Sequence, residues 1–165
     1  MLIFEDNYGS YLAKVIDFGY STITANDDNP IEMPRSRPWN APEHHFGKFK
    51  PAMAKKMDAY SFGMLCFWFL FEKELSNLAP PAHTQKENME SLAFDKPDPI
   101  MLFLLDLKSK EKLITLAHQL LVTSETLNQK RKDELCQFFS LTLNRDPSHR
   151  ESDFQVLSHL LSSDL

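Results

Sequence analysis

Four short patterns gather the side chains with chemical potential in this 165-residue chain. Asp17-Phe18-Gly19 closes an apolar stretch and Ala41-Pro42-Glu43 follows an irregular one. Asp58-Ala59-Tyr60-Ser61-Phe62-Gly63 opens the most apolar run, and Asp146-Pro147-Ser148-His149-Arg150 lies near the C-terminus. Taken singly the groups are modest. Asp17 reads as a strand-end aspartate capping a turn, Asp58 as a helix N-cap, and Glu43 and Arg150 as surface charges. A lone Asp-Phe-Gly arises by chance in roughly a few per cent of chains this long. All four in this order and at these separations are not an accident of composition. Other chemistries lack their signatures: no G-x-S-x-G nucleophile turn, no Walker A loop and no H-E-x-x-H zinc helix occurs. His44 and His45 are adjacent, which points them to different faces, as exposed histidines rather than metal ligands.

The elements that must position these residues follow from hydrophobic patterning. Leu2-Ile3-Phe4 and Tyr11 through Ile16 read as two strands, with turn chemistry in Asp6-Asn7-Tyr8-Gly9-Ser10 between them. Tyr20 to Asn40 has little periodicity and is broken by Pro30, Pro34 and Pro38. So long an irregular segment is commonly functional. A helix with Asp58 as N-cap is expected through Phe71, its run from Phe62 to Phe71 buried in the core. Asn77 to Pro99 reads as a loop with at most one short helix. Asp98 and Pro99 make an N-cap and first-turn pair for a helix to about Leu107. Further helices are expected over 110–122 and 131–144, the latter with Leu135, Phe138, Phe139, Thr142 and Leu143 on one face. Ser152-Asp153-Phe154-Gln155 reads as a capping box for a last helix that buries Phe154, Leu157, Leu160 and Leu161.

With these motifs on these elements, the chain resembles the C-terminal lobe of a eukaryotic protein kinase. The resemblance covers nearly the whole length and is weakest between Asn77 and Lys130. It implies a protein-kinase-like C-lobe, mainly α with a short N-terminal β-hairpin (α+β overall), the N-lobe absent. Its parts would be a hairpin over 1–17, an activation segment over 17–43 and a helical subdomain over 44–165. By resemblance Asp17 is the magnesium ligand that meets the ATP phosphates, a hard cation taking a rigid oxygen donor. Phe18 would pack on the lobe core, and Gly19 would let the chain turn. Glu43 and Arg150 correspond to a buried ion pair tying the activation segment to the helices, and Asp58 to an aspartate that holds the catalytic-loop backbone. Ser21, Thr22 and Thr24 are possible phosphosites. Ser36 stands where a hydroxyl faces the catalytic centre in Ser/Thr kinases. Trp39 and the Tyr-Ser-Phe-Gly wording lean instead toward the tyrosine-kinase-like branch, and Ser/Thr specificity is the expectation adopted.

The four glycines, Gly9, Gly19, Gly47 and Gly63, are too scattered for a Gly-rich phosphate loop. Lys14 lies three residues before the Asp-Phe-Gly, on the wrong strand for an ATP-pairing lysine. No His-Arg-Asp precedes Asp17, and His149-Arg150-Glu151 sits inside the C-terminal pattern. The chain therefore resembles a kinase cut just downstream of its catalytic loop, with Mg-ATP not appreciably bound by this stretch alone. Three readings stay open: an incomplete copy of an ATP-dependent kinase, a non-catalytic pseudokinase-like interaction module, and a truncated gene model. A protein substrate or a kinase partner fits any of the first two.

Composition narrows the field. Formal charge is −5, from 18 basic and 23 acidic residues, which argues against a module that binds nucleic acid through phosphate contacts. Cys66 and Cys136 lie far apart in apolar runs, matching neither a disulfide framework nor a zinc site. The apolar runs fall short of a membrane span and the N-terminus lacks a signal-peptide pattern. Cytoplasm or nucleus is the expected compartment, with no membrane partner.

Overall fold

A computed structural model describes residues 2–5, 11–14, 21, 29–44, 47–80 and 98–162. The first two strands pair as expected. β1 (Leu2–Glu5) runs antiparallel to β2 (Tyr11–Lys14), with Leu2 opposite Lys14 and Glu5 opposite Tyr11. A second ladder of two residues a side interrupts the stretch expected to be irregular: β3 (Ile31–Glu32) pairs with β4 (Lys48–Phe49), Ile31 facing Phe49.

The longest element is α1, Pro51–Leu78. It starts seven residues before the expected Asp58, so Asp58 is not an N-cap but lies inside the helix. Pro51 supplies the cause: at the first helical position its fixed φ is pre-set and its missing N–H would have had no partner. Ala52, Met53, Ala54, Lys55 and Lys56 then carry the helix forward as good helix formers. Phe71 leaves helical geometry (φ −123°, ψ 23°), and the chain resumes as helix to Leu78, beyond the expected end and into the predicted loop. The next described element is α2 (Pro99–Ser109), whose first turn is closed by Asp98 Oδ1 accepting from Ile100 N at 2.8 Å.

α2 ends where Glu111 takes φ 57°. The Lys112 N–H then reaches back to Leu107 O (2.9 Å) and the Glu111 N–H to Lys108 O (3.2 Å), a helix-closing pair that makes the next helix start late. α3 accordingly runs Leu113–Thr123, and α4 runs Gln129–Thr142 under an Asn128 cap. A 3-10 turn at Pro147–His149 leads to α5, Phe154–Ser162. The cap of α5 differs from the expected box: Asp153 Oδ1, not Ser152, accepts from Gln155 N at 2.8 Å.

The core is the seam between these helices. Met57, Tyr60, Met64, Phe67, Phe71 and Leu75 recur on one face of α1 and are buried against Leu104, Leu121, Phe138, Phe139 and Leu157. Every residue expected on the inner face of α4 is buried. The run from Phe62 to Phe71 is only half core, because a helix turns Leu65, Phe69 and Leu70 away from that seam; Phe69 is 73 % exposed. Phe154 is likewise not buried, but lies at 43 % exposure against the ring of Phe62.

Candidate functional site

The described stretch from Ile31 to Glu43 lies against α1, and three arrangements hold it there. The first is centred on Arg150, which is 3 % exposed. Its Nη1 and Nη2 donate to Glu43 Oε1 and Oε2 at 2.6 and 2.8 Å, a two-point match of planar fork to carboxylate. Its remaining donors go to backbone, Nε to Asn144 O (2.6 Å) and Nη2 also to Arg145 O (2.8 Å). The guanidinium stands 4.7 Å from the centre of the Tyr60 ring. Burial pushes the Tyr60 phenol well above its ordinary range, against the pull of Arg150 and with the push of Glu43. Lys56 closes the assembly by donating to Arg150 O at 2.9 Å. The structure thus brings Glu43 and Arg150 together across 107 residues of sequence.

The second arrangement was not expected. Lys108, in the last turn of α2, extends Nζ to Pro38 O (2.6 Å) and Asn40 O (2.8 Å). The turn it grips is closed by Asn40 N donating to Ser36 O at 2.9 Å. Trp39 leaves that turn to meet the edge of Trp68 on α1, ring centres 5.9 Å apart. Burial, with Arg37 nearby, lowers the Lys108 pKa to about 8.

The third arrangement is a groove of about 670 Å³ between this stretch and α1. Ser21, Met33, Ser36, Trp39, Asp58 and Leu65 are among its walls. Asn40 Oδ1 and His44 Nδ1, whose residues also line it, are buried without a hydrogen-bond partner among the described residues. His44 is half-buried rather than exposed, its Nε2 meeting Met33 O at 3.0 Å. Asp58 is exposed at the groove wall, where partial desolvation raises its pKa. Ser21 and Ser36 are exposed. Asp17, Phe18, Gly19, Thr22, Thr24 and His45 lie outside the described residues. Among the described residues no group of three His, Cys, Asp or Glu side chains is placed to hold a metal ion, and no helix is long and apolar enough to cross a membrane.

A family model for the protein kinase domain matches residues 1–162. The chain belongs to the protein kinase domain family. Neither a curated protein nor a solved structure matches it. Glu43 of Ala41-Pro42-Glu43 and Arg150 of Asp146-Pro147-Ser148-His149-Arg150 are in direct contact in this kinase-family chain. What sequence reasoning missed are groups that bond through or to the backbone. Lys108 sits in an ordinary amphipathic helix, and the carbonyls of Pro38, Asn40, Asn144 and Arg145 carry no side-chain signature at all.

Proposed function

We propose that these residues form the C-lobe of an ATP-dependent kinase that phosphorylates protein Ser/Thr, and that this stretch does not transfer phosphate by itself. The observation that carries the reading is the two-point Glu43–Arg150 pair, which joins the end of the activation segment to the helical subdomain. In this reading Asp17 binds the magnesium of Mg-ATP, Phe18 and Gly19 set its position, and Ser21, Thr22 and Thr24 are the regulatory hydroxyls. A phosphate added there orders a loop by meeting arginines. Ser36, exposed at the groove wall, faces the incoming protein substrate. Asp58, which also lines the groove, anchors a catalytic-loop backbone. Phosphoryl transfer also needs an aspartate to accept the hydroxyl proton and an asparagine for the second magnesium. The 165 residues contain no His-Arg-Asp that could supply the first.

A second reading, a non-catalytic interaction module, is favoured by the exposure of Leu65, which lines the same groove, and of Phe69 and Leu70 farther along α1. Two measurements separate them. An in-frame His-Arg-Asp-x-Lys-Pro-x-Asn stretch in the DNA just upstream of the Met1 codon supports the kinase reading or a truncated gene model, and counts against a purpose-built module. The chain as it stands should show no thermal shift in millimolar Mg-ATP and no transfer to a Ser/Thr protein substrate. Transfer abolished by Asp17→Asn would overturn the statement that this stretch is inactive alone.

A further inference from the structure

The turn that carries Ser36 is gripped from a second element as well as closed by its own backbone. Pro34, Arg35, Ser36 and Arg37 are all exposed, and a backbone bond from Asn40 N to Ser36 O closes the loop. Its inner side rests on buried Pro38 and on the edge of Trp68. Polar support also comes from another element, through one amine that reaches two carbonyls on either side of Trp39. We propose that Lys108 is the positioning residue of this turn: from α2 it latches Pro38 and Asn40, and thereby fixes where Ser36 and Trp39 stand. The inference rests on this geometry alone and holds whether the chain is part of an enzyme or an interaction module.

Lysine suits a latch of this kind for a specific reason. A neutral amine has two N–H groups, and two carbonyl oxygens face it, so the uncharged form satisfies the site with nothing left over. The charged form brings a further proton into a half-buried place. The groups around it are Arg37 on the turn, which opposes the charge, and Glu43 beyond the turn, which favours it but is held by Arg150. Tyr60 of α1, with Glu111 and Arg145, which pair with each other, line the same small cavity. The linkage sign follows. A lysine whose docked pKa lies near 8, below its released value, favours docking as pH rises from about 8 toward the ordinary lysine range. Between pH 8 and 9.5 the docking equilibrium should gain roughly tenfold.

Trp39 reports on the turn directly, because the chain has only two tryptophans. Trp68→Phe leaves Trp39 alone and removes an indole N–H that has no hydrogen-bond partner among the described residues. In that background, acrylamide quenching of Trp39 is measured for Lys108, Lys108→Met and Lys108→Arg proteins between pH 7 and 9.5. Quenching should increase at least twofold in Lys108→Met, with far-UV circular dichroism unchanged. In the Lys108 protein it should fall as pH rises above 8, and this response should vanish in both variants. A Trp39 as shielded in Lys108→Met as in the parent overturns the proposal. Should Lys108→Met fail to fold, Lys108→Arg decides it: the arginine stays charged throughout, so a persisting pH response sinks the idea.

Discussion

Arg150 illustrates why one side chain can hold two distant segments. Its five N–H groups meet a carboxylate and three backbone carbonyls, Lys56 O being the longest at 3.4 Å, while its plane lies over Tyr60. Neither a lysine nor a neutral residue has donors in that fan. Arg150→Ala leaves Glu43 partly buried without its cation, and should cost about 3–5 kcal/mol of stability. Urea denaturation checks it: a midpoint no lower than that of Lys130→Ala, a change at a 71 % exposed side chain, would falsify the role. Arg150→Lys should fall between, keeping charge but losing the fork. A second prediction concerns Cys66, whose thiol burial pushes up to about 11. In a Cys136→Ser background its reaction with a disulfide reagent at pH 8 should be about a hundredfold slower than that of an ordinary thiol. The rate should climb with pH until that pKa is reached, and a fast, pH-flat reaction contradicts the burial. At this scale the Glu43 and Arg150 positions were legible because motif spacing flags side chains. Lys108 was not, because what it recognises is two carbonyl oxygens.

The helices show which sequence signals govern an element and which yield to tertiary packing. The inner face of α4 and the Asp98 cap of α2 follow from periodicity and local hydrogen bonding, so both were readable. The start of α1 was misread because Asp58 has a cap's chemistry, whereas Pro51 has a first-turn residue's geometry and lies earlier. The start of α3 was displaced by the left-handed Glu111, a conformation that Gly usually adopts and that this residue type does not announce. Close packing of α1 on α4 depends on Gly63. A Cβ there would lie 2.4 Å from Thr142 Oγ1 and 2.6 Å from Thr142 Cβ. Thr142 has little room to withdraw, since it is fully buried and its hydroxyl is bonded to Phe138 O at 2.9 Å. Gly63→Ala would raise intrinsic helix propensity by up to about 1 kcal/mol, yet the clash of overpacking costs about 1–3 kcal/mol. Clash should win, and thermal melting should show a lower midpoint for the alanine variant. A higher midpoint would mean that α1 and α4 are free to separate.

Over the whole molecule, one long helix serves two opposed surfaces. The face of α1 with Met57, Met64, Phe67 and Leu75 is fully occupied by α2 to α5, while Leu65, Phe69 and Leu70 project from another side. Large apolar side chains adjacent on one helix and open to solvent mark an interaction surface or an association liability. Which of these side chains stand open is not legible in the run itself, because an unbroken apolar run reads the same whether one or both sides of the helix are covered. Phe69→Glu separates folding from association. At 73 % exposure the phenyl ring makes little of the core, so the substitution should change unfolding free energy by no more than about 0.5 kcal/mol. It should strongly reduce binding of a hydrophobic dye and shift sedimentation of the concentrated protein toward the monomer. A parent chain that is already monomeric and binds no dye would count against an open apolar face.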